Sequence, residues 1–225
     1  MKKTICLVAT VCLIICLISG AVYATSGFDD VKEGDWFFSG VEYAGANGLL
    51  EGVSDTIFNP NTAIDRTMAI TSLYKYSEMK GYDVSAGLET NILSYDDAFD
   101  IREGSHAAFQ WACGSGLIPD AGATSLGPNE TMTREELVIL LYDYAVLYGI
   151  DPAAGEDTNI LSYTDVFDMA QEQGYRAFQW ACETGIVVGT SASTLEPAGI
   201  MTRAQLATVL MRLSISGQMV QKEPE

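Results

Sequence analysis

The chain has 225 residues, 48% hydrophobic and 19% charged, a balance too apolar for a disordered protein. Its formal net charge of −18 repels nucleic acid and anionic lipid as a whole, so any bound anion must be met by a few local cations. A single histidine, His106, excludes most histidine-based triads and histidine-rich metal sites.

Lys2 and Lys3 open the chain, and an apolar run follows from Ile5 to Ile18. The run is short for a transmembrane span, and Val22-Tyr23-Ala24 offers a small-x-small cleavage site. These features predict a secretory signal peptide over residues 1–24, with an uncleaved anchor as the alternative. Lipidation at Cys16 is disfavoured by the bulk of Ile15 before it. Cleavage removes Cys6, Cys12 and Cys16, takes the net charge from −18 to −20, and leaves no segment for stable membrane insertion. The remaining cysteines, Cys113 and Cys182, each follow a Trp-Ala pair on a predicted helix. They read as small buried hydrophobes, with a disulfide between them as the alternative in an exported protein.

The rest of the chain repeats with a period close to 68 residues. Tyr43-Ala44, Trp111-Ala112 and Trp180-Ala181 align, as do Gly48-Leu49, Gly116-Leu117 and Gly185-Ile186. Asn59-Pro60, Gly127-Pro128 and Glu196-Pro197 follow, then Asp65-Arg66, Thr133-Arg134 and Thr202-Arg203. The linker Asn91-Ile92-Leu93-Ser94-Tyr95 returns as Asn159-Ile160-Leu161-Ser162-Tyr163. Three repeats are expected at residues 28–81, 95–149 and 163–215, with a short polar tail at 216–225.

Each repeat reads as helix, loop, helix. In the third, Tyr175, Phe178 and Cys182 share one face, and Gly185 stops the first helix. Thr202 and Gln205 predict a capping box at the start of the second helix, and Thr133 with Glu136 predicts another. In the first repeat Asp65 caps, but Met68 stands where the box needs a carboxylate or amide. Leu206, Val209, Leu210 and Leu213 form an apolar stripe, as do Leu137, Leu140, Leu141 and Tyr144. One helix pair has too little core to stand alone, whereas three can bury their stripes together in a closed pseudo-threefold cluster or an open solenoid.

Phe28-Asp29-Asp30-Val31, Asp35-Trp36, the Gly48–Gly52 turn, Phe58-Asn59-Pro60 and the Thr-Arg helix starts together resemble the S-layer homology domain. The resemblance covers nearly all of the chain after the leader, in three copies. It implies an all-α fold in which one helix of each repeat joins a central three-helix bundle, in a three-pronged arrangement with grooves between the prongs. It also implies non-covalent attachment to a secondary cell-wall polysaccharide, often pyruvylated, at the surface of a Gram-positive-type bacterium.

The Thr-Arg motif fits that ligand chemically. An arginine in the first helical turn stands beside backbone N–H groups without intrahelical partners, and a guanidinium grips a carboxylate with two parallel hydrogen bonds. Arg66, Arg134 and Arg203 are therefore the expected glycan contacts, with Asp65, Thr133, Glu136, Thr202 and Gln205 as cap support. The alternative for each arginine is a nearby acid or solvent. Trp36 is a candidate for stacking on sugar or for packing, and Gly104 and Gln173 stand at its position in the later repeats.

Carboxylate pairs such as Asp96-Asp97 and Glu135-Glu136 recur in register with the repeats, which suggests caps and turns rather than a catalytic pair. The Asp29-Asp30, Asp96-Asp97 and Asp165/Asp168 groups lack the EF-hand pattern, so no metal, cofactor or enzymatic activity is expected. An interaction or lattice protein that binds other surface proteins, with the repeats as scaffold, is the alternative function.

Overall fold

The computed structural model describes residues 27–85, 87–118 and 124–220. The predicted leader, most of the second repeat's loop from Pro119 to Ala123, and the end of the tail lie outside them. The described residues form an all-α protein with six α-helices: α1 Phe38–Ala46, α2 Arg66–Lys80, α3 His106–Gly114, α4 Arg134–Tyr148, α5 Gly174–Glu183 and α6 Arg203–Val220. Short 3₁₀ turns at Ile92–Ser94, Ala98–Asp100 and Val166–Asp168 lead into the later repeats.

The helix starts follow the side-chain chemistry. Thr133 and Glu136 close a full capping box on α4. On α6, Gln205 Oε1 accepts from the Thr202 N–H at 2.8 Å, and Thr202 Oγ1 accepts from the Gln205 N–H at 3.4 Å. Asp65 accepts from the Met68 N–H at 2.8 Å, and Met68 returns nothing. Helices α2 and α4 stop at Gly81 and Gly149, both left-handed, the conformation glycine adopts without a Cβ penalty.

The connections close in a ring rather than running on as a solenoid. Helix α3 packs on α2 and α5 on α4, while α1, at the other end of the chain, packs on α6. At the centre, the Ile64 N–H donates to Met201 O (2.9 Å), Met201 to Met132 O (3.0 Å), and Met132 back to Ile64 O (3.1 Å). Each repeat thus supplies one donor and one acceptor to a closed triangle, in which the N–H and C=O of Ile64, Met132 and Met201 are all paired. A single apolar core runs through all three repeats and includes Val41, Leu73, Phe109, Leu141, Phe178 and Leu210. The α1–α6 contact is tight: a Cβ on Gly40 would lie 2.7 Å from the Thr208 Cα.

One aspartate per repeat fixes the loop that reaches its neighbour. Asp30 accepts from the Phe58 and Asn59 N–H groups, Asp97 from Leu126 and Gly127, and Asp165 from Leu195 and Glu196, all at 2.7–3.1 Å. Partial burial opposes ionisation of these carboxyls, but the backbone donors prevail and hold all three below the ordinary value. Asn59, Gly127 and Glu196 occupy the same left-handed position in each loop, with φ of 61°, 60° and 53°.

Candidate functional site

The three helix-start arginines do not share one role. Arg134 is 7% exposed; its Nε donates to Leu195 O at 2.7 Å and its Nη2 to Val188 O. Arg203 is 5% exposed; its Nε donates to Phe58 O at 2.8 Å and its Nη2 to Glu51 O. The Arg203 guanidinium also lies 4.6 Å from the centre of the Phe58 ring. In both cases a cation from one repeat ties down two carbonyls in the loop of the next. Burial lowers both guanidinium pKa values from the ordinary range. Arg66 differs: its Nη2 pairs with Glu130 at 3.2 Å, and its buried Nε finds no acceptor.

The expectation that free helix-start N–H groups aid anion binding needs correction. Arg66 N and Thr67 N donate to Glu130 O and Pro128 O, Arg134 N and Glu135 N to Gly199 O and Pro197 O, and Arg203 N and Ala204 N to Thr62 O and Pro60 O. The first two donors of each helix are thus consumed by the adjacent repeat's loop. The positive helix ends serve assembly of the ring.

Two grooves between repeats occupy the same register. The first has a volume of about 270 Å³ and lies between the first and second repeats. Leu49 and Leu50 form part of its wall, α2 contributes Met68, Thr71, Ser72 and Lys75, and Arg102, Ser105 and Arg203 complete the lining. Thr71 Oγ1 donates to Ser105 Oγ at 3.1 Å, Lys75 Nζ meets Glu51 at 3.1 Å, and Arg102 Nη2 meets Asp65 at 2.6 Å. This groove gathers three cations: Lys75 and Arg102 are each tied to one carboxylate, whereas buried Arg203 is fixed by Phe58 O, Glu51 O and Met68 Sδ.

The second groove, about 200 Å³, lies between the second and third repeats. Leu117 and Ile118 replace the two leucines, and Glu136, Ile139, Leu140 and Asp143 replace Met68, Thr71, Ser72 and Lys75. Gln171 takes the place of Arg102, and Arg66 that of Arg203. The same architecture therefore carries a polar, cationic groove in one copy and a mostly aliphatic, acid-bearing groove in the other.

Trp36 is 65% exposed and touches Phe37 edge-on, with ring centres 5.3 Å apart. Its register partner Gln173 lines the second groove. Cys113 and Cys182 are both half-buried and form no disulfide with each other. Sequence reasoning missed Lys75 and Arg102. Their signal was available in the register of Lys75, Asp143 and Arg212 and of Arg102 and Gln171, but nothing in the sequence says that these positions face a groove.

The family model described as the S-layer homology domain matches residues 27–67 and 162–207. The Surface-layer 125 kDa protein of Lysinibacillus sphaericus is 28% identical over 116 residues, 50% of this chain and 9% of that protein. The Exoglucanase XynX of Acetivibrio thermocellus is 25% identical over 87% of this chain and 17% of its own length. The Amylopullulanase of Thermoanaerobacterium thermosulfurigenes is 24% identical over 83% of this chain and 9% of its own. This chain therefore spans less than a fifth of each of these relatives. The matches to the S-layer homology domain thus fall in the first and third repeats, and one register of caps, clamps and grooves runs through all three.

Proposed function

We propose that this protein attaches non-covalently to the bacterial cell wall by binding an anionic secondary cell-wall polysaccharide, with the groove between the first and second repeats as its principal site. The observation that carries this reading is the convergence of Lys75, Arg102 and Arg203 on one groove in a chain of net charge −18. Thr71 and Ser105 add hydroxyls for sugar oxygens, and Leu49 and Leu50 add an apolar wall for a pyranose face. A pyruvate ketal supplies the carboxylate that Lys75 and Arg102 are placed to meet. Arg203 shapes the groove through Glu51 and Phe58, and Arg134 does the same for the third repeat's loop. Trp36, at the register of a groove-lining residue, is assigned to sugar stacking at the junction of the third and first repeats.

A surface-layer protein and two differently named enzymes match this chain over 9–17% of their length, which supports a carried attachment module rather than a common reaction. Surface localisation follows from the same reading, with the leader over residues 1–24 as the route of export. No described helix is long and apolar enough to cross a membrane.

A second reading has one observation in its favour. Phe99 and Phe167, at equivalent positions, are 85% and 83% exposed, which suits contact with another surface protein. Retention on purified wall polysaccharide, before and after removal of pyruvate, tests the two. The first reading expects binding that falls at least tenfold in the Lys75→Ala/Arg102→Ala double variant. Undiminished retention by that variant, or retention only on walls that keep their proteins, overturns it.

A further inference from the structure

The groove between the second and third repeats has lost the features that suit an anion. Lys75 becomes Asp143, Arg102 becomes Gln171, and the hydroxyls of Thr71 and Ser72 become the aliphatic chains of Ile139 and Leu140. Asp143 makes no hydrogen bond or ion pair with any described residue, and burial alone raises its pKa above the ordinary value. A half-desolvated carboxylate without a partner is costly unless a cation meets it. On the opposite repeat, the buried Nε of Arg66 likewise lacks an acceptor, while its Nη2 is held by Glu130. The groove therefore presents one unmet acceptor charge, one unmet donor and an apolar floor of Ile70, Leu117, Ile118, Ile139 and Leu140.

We propose that this groove binds a sugar carrying a free amine, an unacetylated hexosamine unit. The ammonium meets Asp143, a ring or hydroxyl oxygen accepts from Arg66 Nε, and the apolar face of the ring lies on the aliphatic floor. The two grooves then recognise opposite charges, and a polymer with both substituents is held at two points of one molecule. The inference rests on the wall-polymer reading only in taking a sugar as ligand.

The test is calorimetric titration of the purified chain with a glucosamine trisaccharide and with its N-acetylated counterpart. The expected result is at least tenfold tighter binding of the free amine, lost in Asp143→Asn and retained in Lys75→Ala. Glu172→Gln removes the same charge from an exposed position beside the groove and should leave binding unchanged. The proposal is overturned by equal affinity for the two trisaccharides, by no binding of the amine, by full binding in Asp143→Asn, or by equal losses in Asp143→Asn and Glu172→Gln. Amine binding without retention on wall polysaccharide sinks the anchoring reading and leaves this one standing. The reverse outcome sinks this one alone.

Discussion

The groove carrying Lys75 and the groove carrying Asp143 are built on the same helices, turns and loop contacts, yet their chemistry is opposed. The positions that hold the ring together keep their chemistry through the repeats: an aspartate clamp, a left-handed loop residue, a helix-start arginine. The positions facing the grooves do not. Duplication thus supplied equivalent junctions, and substitution at a handful of buried or half-buried helix positions was enough to make two of them unlike. Assembly and recognition are separable here because the residues that assemble point inward and across, while those that differ line open space.

The contrast can be broken most severely at the arginines. Arg134→Ala or Arg203→Ala strips two loop carbonyls of a buried charged donor, and each should cost about 3 kcal/mol in chemical denaturation. Arg66→Ala removes a partly exposed ion pair and no loop carbonyl contact among the described residues, and should cost about 0.5 kcal/mol. Equal losses at all three would return the arginines to one common role.

A charge exchange sharpens the contrast directly. Lys75→Asp should weaken retention on anionic wall polysaccharide about tenfold, the equivalent of one charge-assisted contact near 1.4 kcal/mol. Asp143→Lys should add an anion-binding groove to the second junction and strengthen retention, measured on the same polymer.

Smaller effects lie in the loops. Glu196 has φ of 53°, where its counterpart Gly127 sits at 60° without strain. Glu196→Gly should therefore stabilise the protein by about 0.5–1 kcal/mol in denaturant unfolding, since relief of left-handed strain outweighs the added chain entropy.

The aspartate clamps give the gentlest signal. Their carboxyls titrate below the ordinary value of 3.8 in the folded state, so the unfolded chain binds protons first as acid is added. The stability they contribute is full above the unfolded value and is lost as pH falls through the folded ones. Asp97→Asn should therefore lower stability most at neutral pH and flatten the acid limb of a thermal-unfolding series, so that variant and parent converge at low pH.

Much of this molecule was legible in the sequence because helix ends are written in local chemistry. The capping boxes at Thr133–Glu136 and Thr202–Gln205 need only residues three apart, and the structure forms them. The 68-residue register was equally plain. Closure of the ring was not, because it depends on pairings such as Arg203 N to Thr62 O, 141 residues apart, which no local pattern announces. The assembly roles of Arg134 and Arg203 were hidden for the same reason: a guanidinium at a helix start looks free until the neighbouring repeat brings two carbonyls to it. Lys75 and Arg102 were passed over because a cation on a helix face ordinarily reads as solvated surface.

The triangle of Ile64, Met132 and Met201 has a consequence for how the protein comes apart. A solenoid can fray from its ends one unit at a time, because each unit answers only to its neighbours. A triangle has no end unit: releasing any corner breaks two of its three links. Folding must therefore wait for the first and last repeats to find each other across the chain, and unfolding should be all-or-none, giving a surface protein that withstands partial opening by proteases until the whole structure yields at once.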